Sequence, residues 1–264
     1  MPDARPRGFG IAAGLDPDVA RAVAQRCESL GYASLWSNDH PAASGLETIA
    51  LFAEAAPRPD VGVAVLALDR HAAPDVAAKL SEVGIPPQRL WLGIGAGFTK
   101  RPLGVVREGL TALREVLPGD ARIVVAAMGP KMCALAGAEA DGAFLNWMTP
   151  EKAAWARERV HEGAAAAGRA TPPPVFGYVR VAVGDDAEER LRKEEAFYRQ
   201  LHQGYIRHFE ALGAPEGTVG VAVRDPAEVR QRLAEYDAID HVVVRALAHA
   251  DAESLGQVAE AAAT

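Results

Sequence analysis

The sequence contains only two cysteines, no long apolar run and no cluster of basic residues. Cys27 and Cys133 both fall in predicted helices, so they imply neither a disulfide framework nor a metal site. No apolar run reaches the roughly 18 residues that span a bilayer, and the N-terminus lacks the apolar core of a signal peptide, so we expect a cytoplasmic protein. A formal net charge of −7 disfavours nucleic acid and anionic membranes as partners, because both bind basic surfaces.

What the chain does contain is enough apolar material for one large core, with 49% hydrophobic residues over 264 positions. Apolar runs of strand length alternate with helical periodicity along the chain. The eight predicted strands are Gly8 to Ala12, Ala33 to Ser37, Val61 to Leu66, Leu90 to Gly95, Ile123 to Ala127, Gly142 to Asn146, Val175 to Val183 and His241 to Arg245. This pattern predicts an α/β fold, a (β/α)8 or TIM barrel, as a single domain over residues 1–264. The segment at about 186–226 holds more than one helix and is predicted to be an elaborated loop.

In a barrel of this kind the residues that directly follow the strands form the rim of the active site. The predicted rim is rich in small and apolar residues and poor in ionisable ones. It comprises Ala13, Gly14, Asn38, Asp39, His40, Ala64 to Ala67, Gly95 to Gly97, Met128 to Pro130, Asn146, Trp147, Arg180 and Arg245. Such a lining suits a flat, largely apolar ligand that brings its own chemistry, acting on a small-molecule substrate.

Two loops of this rim are rich in glycine or other small residues. Gly95, Ala96 and Gly97 end an apolar strand, which indicates that the backbone there comes close to another group, although turn geometry is the more frequent reason for such glycines. About 33 residues later the same arrangement recurs, when a strand ends in Ala127 and Met128 and a helix begins after Gly129. Two such loops suggest a shared ligand.

The second loop is a candidate phosphate site. Free backbone N–H groups face outward at a helix N-terminus, Gly129 lets an anion approach, and Pro130 at the first helical position forfeits no needed donor. A helix terminus contributes only ~0.3 to 2 kcal/mol, whereas micromolar binding needs about 8 kcal/mol, so other groups must hold the ligand too. Asn146 ends the neighbouring strand, and its amide must bond either an adjacent strand or the ligand.

His40 is the candidate reactive group, because a histidine can donate or accept a proton at neutral pH. Its place after the second strand puts it over the barrel mouth. An equally weighted interpretation is a turn with a solvated histidine. Asp39 is either a turn residue or the partner that orients His40.

At these residues the chain resembles the bacterial luciferase-like monooxygenase family of flavin- and deazaflavin-dependent barrels. The matching segments are Glu28 to Trp36 running into Asp39 and His40, then Arg89 to Gly97, Ala126 to Met132 with Leu135 to Gly137, and Ala140 to Gly142 leading to Asn146. They occur in the family's order over roughly residues 8 to 150.

The resemblance implies a barrel that binds the deazaflavin coenzyme F420, or alternatively FMN, with its ring in the mouth and its phosphate near residues 127–130. It implies that His40 lies close to the ring as a proton donor or acceptor. It also implies a backbone bulge at Ala64 and Val65 beneath the ring, which in this family often contains a non-prolyl cis peptide. The residues of the Ala126 to Met132 segment resemble the deazaflavin-dependent branch of the family, which favours F420 over FMN.

The chain also departs from the family. It has Phe98-Thr-Lys-Arg101 where the deazaflavin-dependent sugar-phosphate dehydrogenases carry an acidic residue, so that substrate is doubtful. Members are usually longer and carry an insertion near the mouth, so this chain is expected to have a shallower substrate pocket.

Other classes of barrel fit less well. A metal-dependent hydrolase needs His-x-His after the first strand, and a Schiff-base aldolase needs a lysine at a strand end, whereas all five lysines fall in predicted helices or loops. A non-catalytic flavin-binding subunit is compatible with the small number of ionisable residues on the rim, although the presence of His40 favours catalysis. Alanine-rich helical segments such as Glu162 to Ala167 would also permit a homo-oligomer.

Overall fold

A computed structural model describes residues 5–264 and shows a closed barrel of eight parallel strands inside a layer of helices. The nine strands in the described part of the chain are β1 (Arg7–Ile11), β2 (Ser34–Ser37), β3 (Asp60–Ala67), β4 (Leu90–Gly95), β5 (Arg122–Ala126), β6 (Gly142–Asn146), β7 (Val175–Val183), β8 (Val221–Val223) and β9 (His241–Ala246). Strands β1 to β7 pair in sequence order, and β9 closes the ring between β7 and β1. The predicted eight-stranded barrel is therefore confirmed.

The helices lie outside the strands and begin with typical N-terminal signals. They are α1 (Pro17–Ser29), α2 (Gly45–Ala55), α3 (Ala73–Val83), α4 (Pro102–Val116), α5 (Pro130–Glu139), α6 (Pro150–Ala166), α7 (Ala187–Leu201), α8 (Gln203–Leu212), α9 (Val229–Ala234) and α10 (Ala252–Ala262). Asp16, Ser44, Thr149 and Asp251 cap helices with their side chains, which satisfies N–H groups that have no intrahelical partner. Within residues 5–264, no helix combines the length and the apolar character needed to cross a membrane.

The segment after β7 differs in detail from the prediction. The segment holds more than one helix, as expected, and the fully extended backbone at His202 separates α7 from α8. The short strand β8 was not predicted, and it pairs with the last three residues of β7 outside the barrel ring. Three residues are too few to show a strand periodicity in the sequence.

Aromatic side chains fill the inside of the barrel. Trp36, Phe144, Phe176 and Tyr178 pack together with Val243, and all are at least nine-tenths buried. Glycine residues make the room: a Cβ at Gly62 would collide with the Trp36 ring, and one at Gly10 would lie 2.8 Å from Tyr178 Cε1. The barrel is therefore a packed core with its open end at the carboxyl ends of the strands.

At the opposite end His241 closes the interior. Its Nε2 lies 2.8 Å from Ser34 Oγ, which accepts a hydrogen bond from Trp36 Nε1, and its ring stacks on Phe176. Burial lowers the pKa of His241 to about 4, so this histidine is a neutral structural group.

Helices α5 and α6 contact each other through glycine. A Cβ at Gly163 would collide with the Ala134 carbonyl oxygen, and one at Gly137 would collide with the Val160 carbonyl oxygen. In the alanine-rich segment, Gly163 and Ala164 are buried within the chain, whereas Ala165, Ala166 and Ala167 are exposed. A homo-oligomer remains a prediction.

We expect Gly163→Ala to destabilise the protein by about 1 to 3 kcal/mol, because the added methyl group forces the two helices apart. Gly256→Ala is the matched control, since Gly256 is also a buried helical glycine but a Cβ there meets no atom within 4 Å. That variant should gain about 0.5 to 1 kcal/mol from reduced backbone freedom. Urea unfolding followed by circular dichroism measures both. Stabilisation by both substitutions would contradict the close helix contact.

Candidate active site

The uppermost layer of inward-facing residues forms the floor of the barrel mouth. Side chains alternate along a strand, so the residue two positions after each interior residue also points inward. The layer above Trp36, Gly62, Gly93, Val124, Phe144, Tyr178 and Val243 accordingly consists of Asn38, Ala64, Gly95, Ala126, Asn146, Arg180 and Arg245, with Ala12 above Gly10. Small residues come from β1, β3, β4 and β5, and polar ones from β2, β6, β7 and β9. The ends of β3, β4 and β5 are adjacent and form a small half of the floor, whereas β6, β7 and β9 form a polar half. Asn38 of β2 separates Ala12 from the small half.

A bulge in β3 shapes the small half. The register between β3 and β4 shifts between Val63 and Leu66, and the peptide bond from Ala64 to Val65 is cis. The backbone feature expected at Ala64 and Val65 is therefore present. Val65 is half-buried, and Ala64 is 8% exposed at the top of the interior cluster.

The glycines of β4 fit this bulge. A Cβ at Gly93 would collide with the Val63 carbonyl oxygen, and one at Gly95 would lie 2.9 Å from Val65 Cγ2. The close approach inferred from the sequence is therefore an approach between two strands of the same chain. Any contact of Gly95 with a ligand remains a prediction.

The loop after β4 is held by Asp69. Its carboxylate accepts a hydrogen bond of 2.7 Å from the Phe98 N–H, and a side chain at Gly97 would collide with it. Gly97 has a φ of +68°, in the left-handed region that favours glycine. Ala96 is half-buried and Phe98 is 71% exposed. The centres of the Phe98 and His202 rings are 4.9 Å apart in an edge-to-face arrangement. The loop therefore places an exposed aromatic side chain at the rim.

His40 stands at the rim after β2, in a tight turn. Its backbone forms two hydrogen bonds with Ala43, and its Nδ1 accepts a hydrogen bond of 3.3 Å from the Ala42 N–H. Because Nδ1 is an acceptor, the neutral ring carries its proton on Nε2. The imidazole is half-buried, and within residues 5–264 its Nε2 has no hydrogen-bond partner. His40 is thus both a turn residue and a group with a proton to donate.

Asp39 does not orient His40. Its Oδ1 accepts a hydrogen bond of 3.0 Å from the Gly45 N–H, at the start of α2, and its Oδ2 bonds Arg70 at 3.0 Å and His71 at 2.9 Å. The side chain is only 4% exposed. The carboxylate therefore joins β2, α2 and the loop after β3 and fixes the turn that carries His40, which leaves little of it for a cofactor.

The candidate phosphate site after β5 is open. Gly129 is the N-cap residue of α5, no side chain caps this helix, and a Cβ at Gly129 would meet no atom within 4 Å. Gly129 and Pro130 are exposed and Met128 is half-buried, whereas Ala127 is fully buried and bonds the Phe144 carbonyl through its N–H. The helix terminus can therefore accept an anion beside Gly129, with Ala127 acting as part of the sheet.

Asn146 belongs to a polar network within the chain. Its Oδ1 accepts a hydrogen bond from Arg180 Nη1, and its Nδ2 donates one of 2.9 Å to the Tyr205 hydroxyl. Of the two possibilities left open by the sequence, the structure shows the bond to neighbouring residues. Burial raises the pKa of Tyr205, so its hydroxyl stays protonated.

Arg180 is the centre of the polar half. The side chain is 2% exposed, and its guanidinium carbon lies 3.7 Å from the centre of the Trp147 ring and 5.3 Å from that of Tyr198. Burial lowers the pKa of the Arg180 guanidinium, which stays charged because an arginine pKa starts above 12. Helix α7 thus covers this side of the mouth through Tyr198.

Arg245 and Tyr178 complete the polar half. Arg245 Nη2 donates a hydrogen bond of 3.3 Å to Asn38 Oδ1, which also accepts one of 3.2 Å from the Ala13 N–H. The guanidinium carbons of Arg180 and Arg245 both lie 5.8 Å from the centre of the Tyr178 ring. Burial raises the pKa of Tyr178 to about 12, so its hydroxyl is a neutral donor.

Sequence reasoning placed Arg180 and Arg245 on the rim but not among the site residues, and it missed Tyr178, Tyr205 and His71. Side chains alternate along β7, so Tyr178 points inward like Arg180 two residues later. This alternation was a signal that could have identified both residues as site residues. Tyr205 gave no such signal, because a helix in an elaborated loop can lie anywhere over the barrel.

The mouth has a small, flat floor on one side and buried cations on the other, with a histidine proton and an open helix N-terminus at the edge. Such a site can hold a planar molecule that carries a phosphate, and can transfer a proton at its rim. Within residues 5–264 no three His, Cys, Asp or Glu side chains are grouped to hold a metal ion.

Solved structures with the same fold are similar along nearly the whole chain. An F420-dependent secondary alcohol dehydrogenase, in complex with an F420–acetone adduct, has a TM-score of 0.79 at 17% identity, covering 98% of both chains. The coenzyme F420-dependent tetrahydromethanopterin reductase of Methanopyrus kandleri has a TM-score of 0.72 at 17% identity, covering 97% of both. The oxygenating constituent of 3,6-diketocamphane monooxygenase from Pseudomonas putida, in complex with FMN, has a TM-score of 0.70 at 16% identity, covering 98% of both. At identities this low, the structural similarity establishes a shared fold alone. No match to the chain is found among curated proteins.

A family-wide sequence comparison gives the more specific result. The sequence pattern of the family described as luciferase-like monooxygenase matches residues 98–264, which is more than half of the chain. The resemblance seen in the sequence rested on residues 8 to 150, so only its last third lies in the matched range. The match also covers residues 151–264, on which that resemblance did not rest. The chain belongs to the luciferase-like monooxygenase family.

Proposed function

We propose that the protein is an oxidoreductase that binds coenzyme F420 in the barrel mouth and transfers a hydride to or from a small organic substrate. The observation that carries this proposal is the floor of the mouth. Ala64, Gly95 and Ala126 end three adjacent strands, and Ala12 lies on the other side of Asn38 of β2. These small residues leave room for a fused three-ring system. Larger side chains at these positions would fill the mouth.

The residues present fit a phosphorylated coenzyme. The exposed N-terminus of α5 at Gly129 adjoins the small half of the floor, because β5 contributes Ala126 to that half. The N–H groups of the first helical turn would hold the phosphate, and the rest of the affinity would come from ring burial on the floor. When bound, the coenzyme supplies the hydride chemistry, and the protein supplies placement and proton control.

His40 is the residue assigned to proton transfer. Its Nδ1 accepts a hydrogen bond from the Ala42 N–H, which orients the ring and leaves Nε2 without a partner in residues 5–264. The turn itself is fixed by the Asp39 carboxylate through Gly45, Arg70 and His71. His40 Nε2 would donate a proton to, or accept one from, the atom that changes its proton count as hydride moves.

FMN is the second candidate, because a flat floor and a helix N-terminus accept either ring system. We prefer F420 to FMN because of the sequence of the Ala126 to Met132 segment. The F420-dependent enzymes among the structures of the same fold support this preference. The complex of 3,6-diketocamphane monooxygenase with FMN supports the alternative. A non-catalytic flavin-binding barrel would bind a coenzyme without turnover.

The test is titration of the purified protein with F420 and, separately, with FMN, followed by coenzyme fluorescence. We expect F420 to bind at micromolar concentration or below and FMN to bind at least about tenfold more weakly, a difference of about 1.4 kcal/mol. Loaded protein is then mixed with small alcohols, ketones and aldehydes while coenzyme absorbance is followed. Tighter binding of FMN would favour the alternative, and failure of both coenzymes to bind would end the proposal.

A further inference from the structure

Two buried arginines lie side by side on the polar half of the floor. Arg180 and Arg245 are direct partners in the pairing of β7 with β9, so their Cα atoms are adjacent and both side chains point into the barrel. Arg180 is 2% exposed and Arg245 is 9% exposed. Two cations on neighbouring strands repel each other, and burial weakens the solvation that would offset this repulsion.

Protein partners satisfy these cations only in part. The amide oxygens of Asn146 and Asn38 accept one hydrogen bond each from Arg180 and Arg245, and within residues 5–264 neither guanidinium is in an ion pair with a carboxylate. Three buried polar atoms of Arg180, Arg245 and Tyr178 have no hydrogen-bond partner in the described part of the chain: Arg180 Nε, Arg245 Nη1 and the Tyr178 hydroxyl. Trp147 Nε1, in the ring next to Arg180, is unpaired there as well. Each of them is a donor, and an unpaired buried donor is costly.

Three unpaired donors and two cations call for an acceptor-only, negatively charged group. We propose that Arg180, Arg245 and Tyr178 bind a carboxylate of the substrate. A carboxylate has two oxygens and about four lone pairs, so it can accept from a guanidinium and a phenol hydroxyl together. The Trp147 and Tyr178 rings beside the guanidiniums provide an apolar wall for the body of such a substrate.

The position of the cluster separates it from the proposed coenzyme site. The small half of the floor belongs to β3 through β5 and the α5 N-terminus follows β5, whereas the two arginines belong to β7 and β9. This inference rests on the proposed function only in taking the bound carboxylate to be the substrate of the reaction. An anion bound by these residues can be detected without turnover.

The probe is benzoate, with benzamide as its uncharged counterpart of nearly the same shape. Calorimetric titration is carried out on the protein alone and on the protein loaded with F420 or FMN. We expect benzoate to bind and benzamide to bind at least about tenfold more weakly, because only the carboxylate forms charge-assisted hydrogen bonds.

The variants are Arg245→Met and Tyr178→Phe, with Arg26→Met as a control. We expect Arg245→Met to weaken benzoate binding about 10- to 100-fold and Tyr178→Phe about 3- to 10-fold. Arg26 is half-exposed on α1 in an ion pair with Glu260, so Arg26→Met should leave benzoate affinity unchanged. Tyr178→Phe removes a hydroxyl that bonds no other group in residues 5–264, and its melting temperature should therefore match that of the wild type.

Equal affinity for benzoate and benzamide, or no binding of benzoate, would overturn the inference. So would an Arg245→Met variant that loses affinity for the coenzyme but keeps affinity for benzoate, since the arginines would then serve the coenzyme. Benzoate binding in a protein that binds neither F420 nor FMN would support the carboxylate site while ending the proposed function, so the two failures are distinguishable.

Discussion

Gly129→Asp is expected to abolish coenzyme binding while leaving the protein folded. Gly129 is the N-cap residue of α5, with extended backbone angles and open space around its Cα. Aspartate is a preferred N-cap residue, so its carboxylate would accept hydrogen bonds from the same N–H groups that are assigned to the phosphate. It would also place a negative charge next to that phosphate. Both effects act against binding, and capping raises the stability of the helix.

The size of the expected effect follows from the charge. Two unit charges 4 Å apart repel by about 4 kcal/mol at an effective dielectric constant of 20, which corresponds to roughly a thousandfold loss of affinity. Fluorescence titration with F420 measures this loss. The melting temperature of the variant should equal or exceed that of the wild type, which separates lost binding from lost structure.

Two further variants make this prediction specific. Gly129→Asn can cap α5 without adding charge, so we expect it to weaken binding less than Gly129→Asp does. Gly119→Asp adds the same charge at another exposed glycine with open space, between α4 and β5 at the closed end of the barrel, and should bind F420 normally. If Gly129→Asp binds as tightly as Gly119→Asp, the phosphate does not lie at α5.

His40→Asn is expected to lower kcat by about 10²- to 10⁴-fold, the usual contribution of a general acid or base. The asparagine side chain can keep an acceptor where Nδ1 receives the Ala42 N–H, so the turn should persist. It cannot supply the proton that the imidazole carries on Nε2. We expect the affinity for F420 to change by less than about threefold, because the ring rests on the floor of small residues.

The measurement is single-turnover absorbance of the coenzyme, with whichever alcohol, ketone or aldehyde the wild type converts, together with fluorescence titration. The control variant is His249→Asn. His249 is an exposed residue in the loop after β9, so this variant should keep full activity. A His40→Asn variant with normal turnover would remove the assigned proton-transfer role. A variant that instead loses coenzyme affinity would make His40 a binding residue.

Much of the fold could be predicted because each strand and helix carries its own signal. Strands such as Val175–Val183 are continuous apolar runs, and helices such as α6 begin with a cap followed by proline. The strand Val221–Val223 could not be predicted, because it forms only by pairing with β7. Local periodicity does not contain that information.

The sequence predicted where the site lies better than it predicted which residues contact one another there. Gly129 is open, as the sequence suggested, and His40 lies at the rim, but the β4 glycines accommodate Val63 and Val65 of the neighbouring strand. Asp39 bonds Arg70 and His71, a loop about thirty residues further along the chain. A residue that permits a close approach does not specify what approaches it.

By itself the sequence determined that this protein is a barrel, and which residues end its strands, because alternation and chain order are local properties. Only the tertiary structure decided which strand ends are neighbours. Strand β9 pairs with β7 past the short β8, and this places Arg180 beside Arg245 although 65 residues separate them in the chain. The physical reason is ring closure: hydrogen bonds between the last and earlier strands set the register, and the register brings two buried cations to one place.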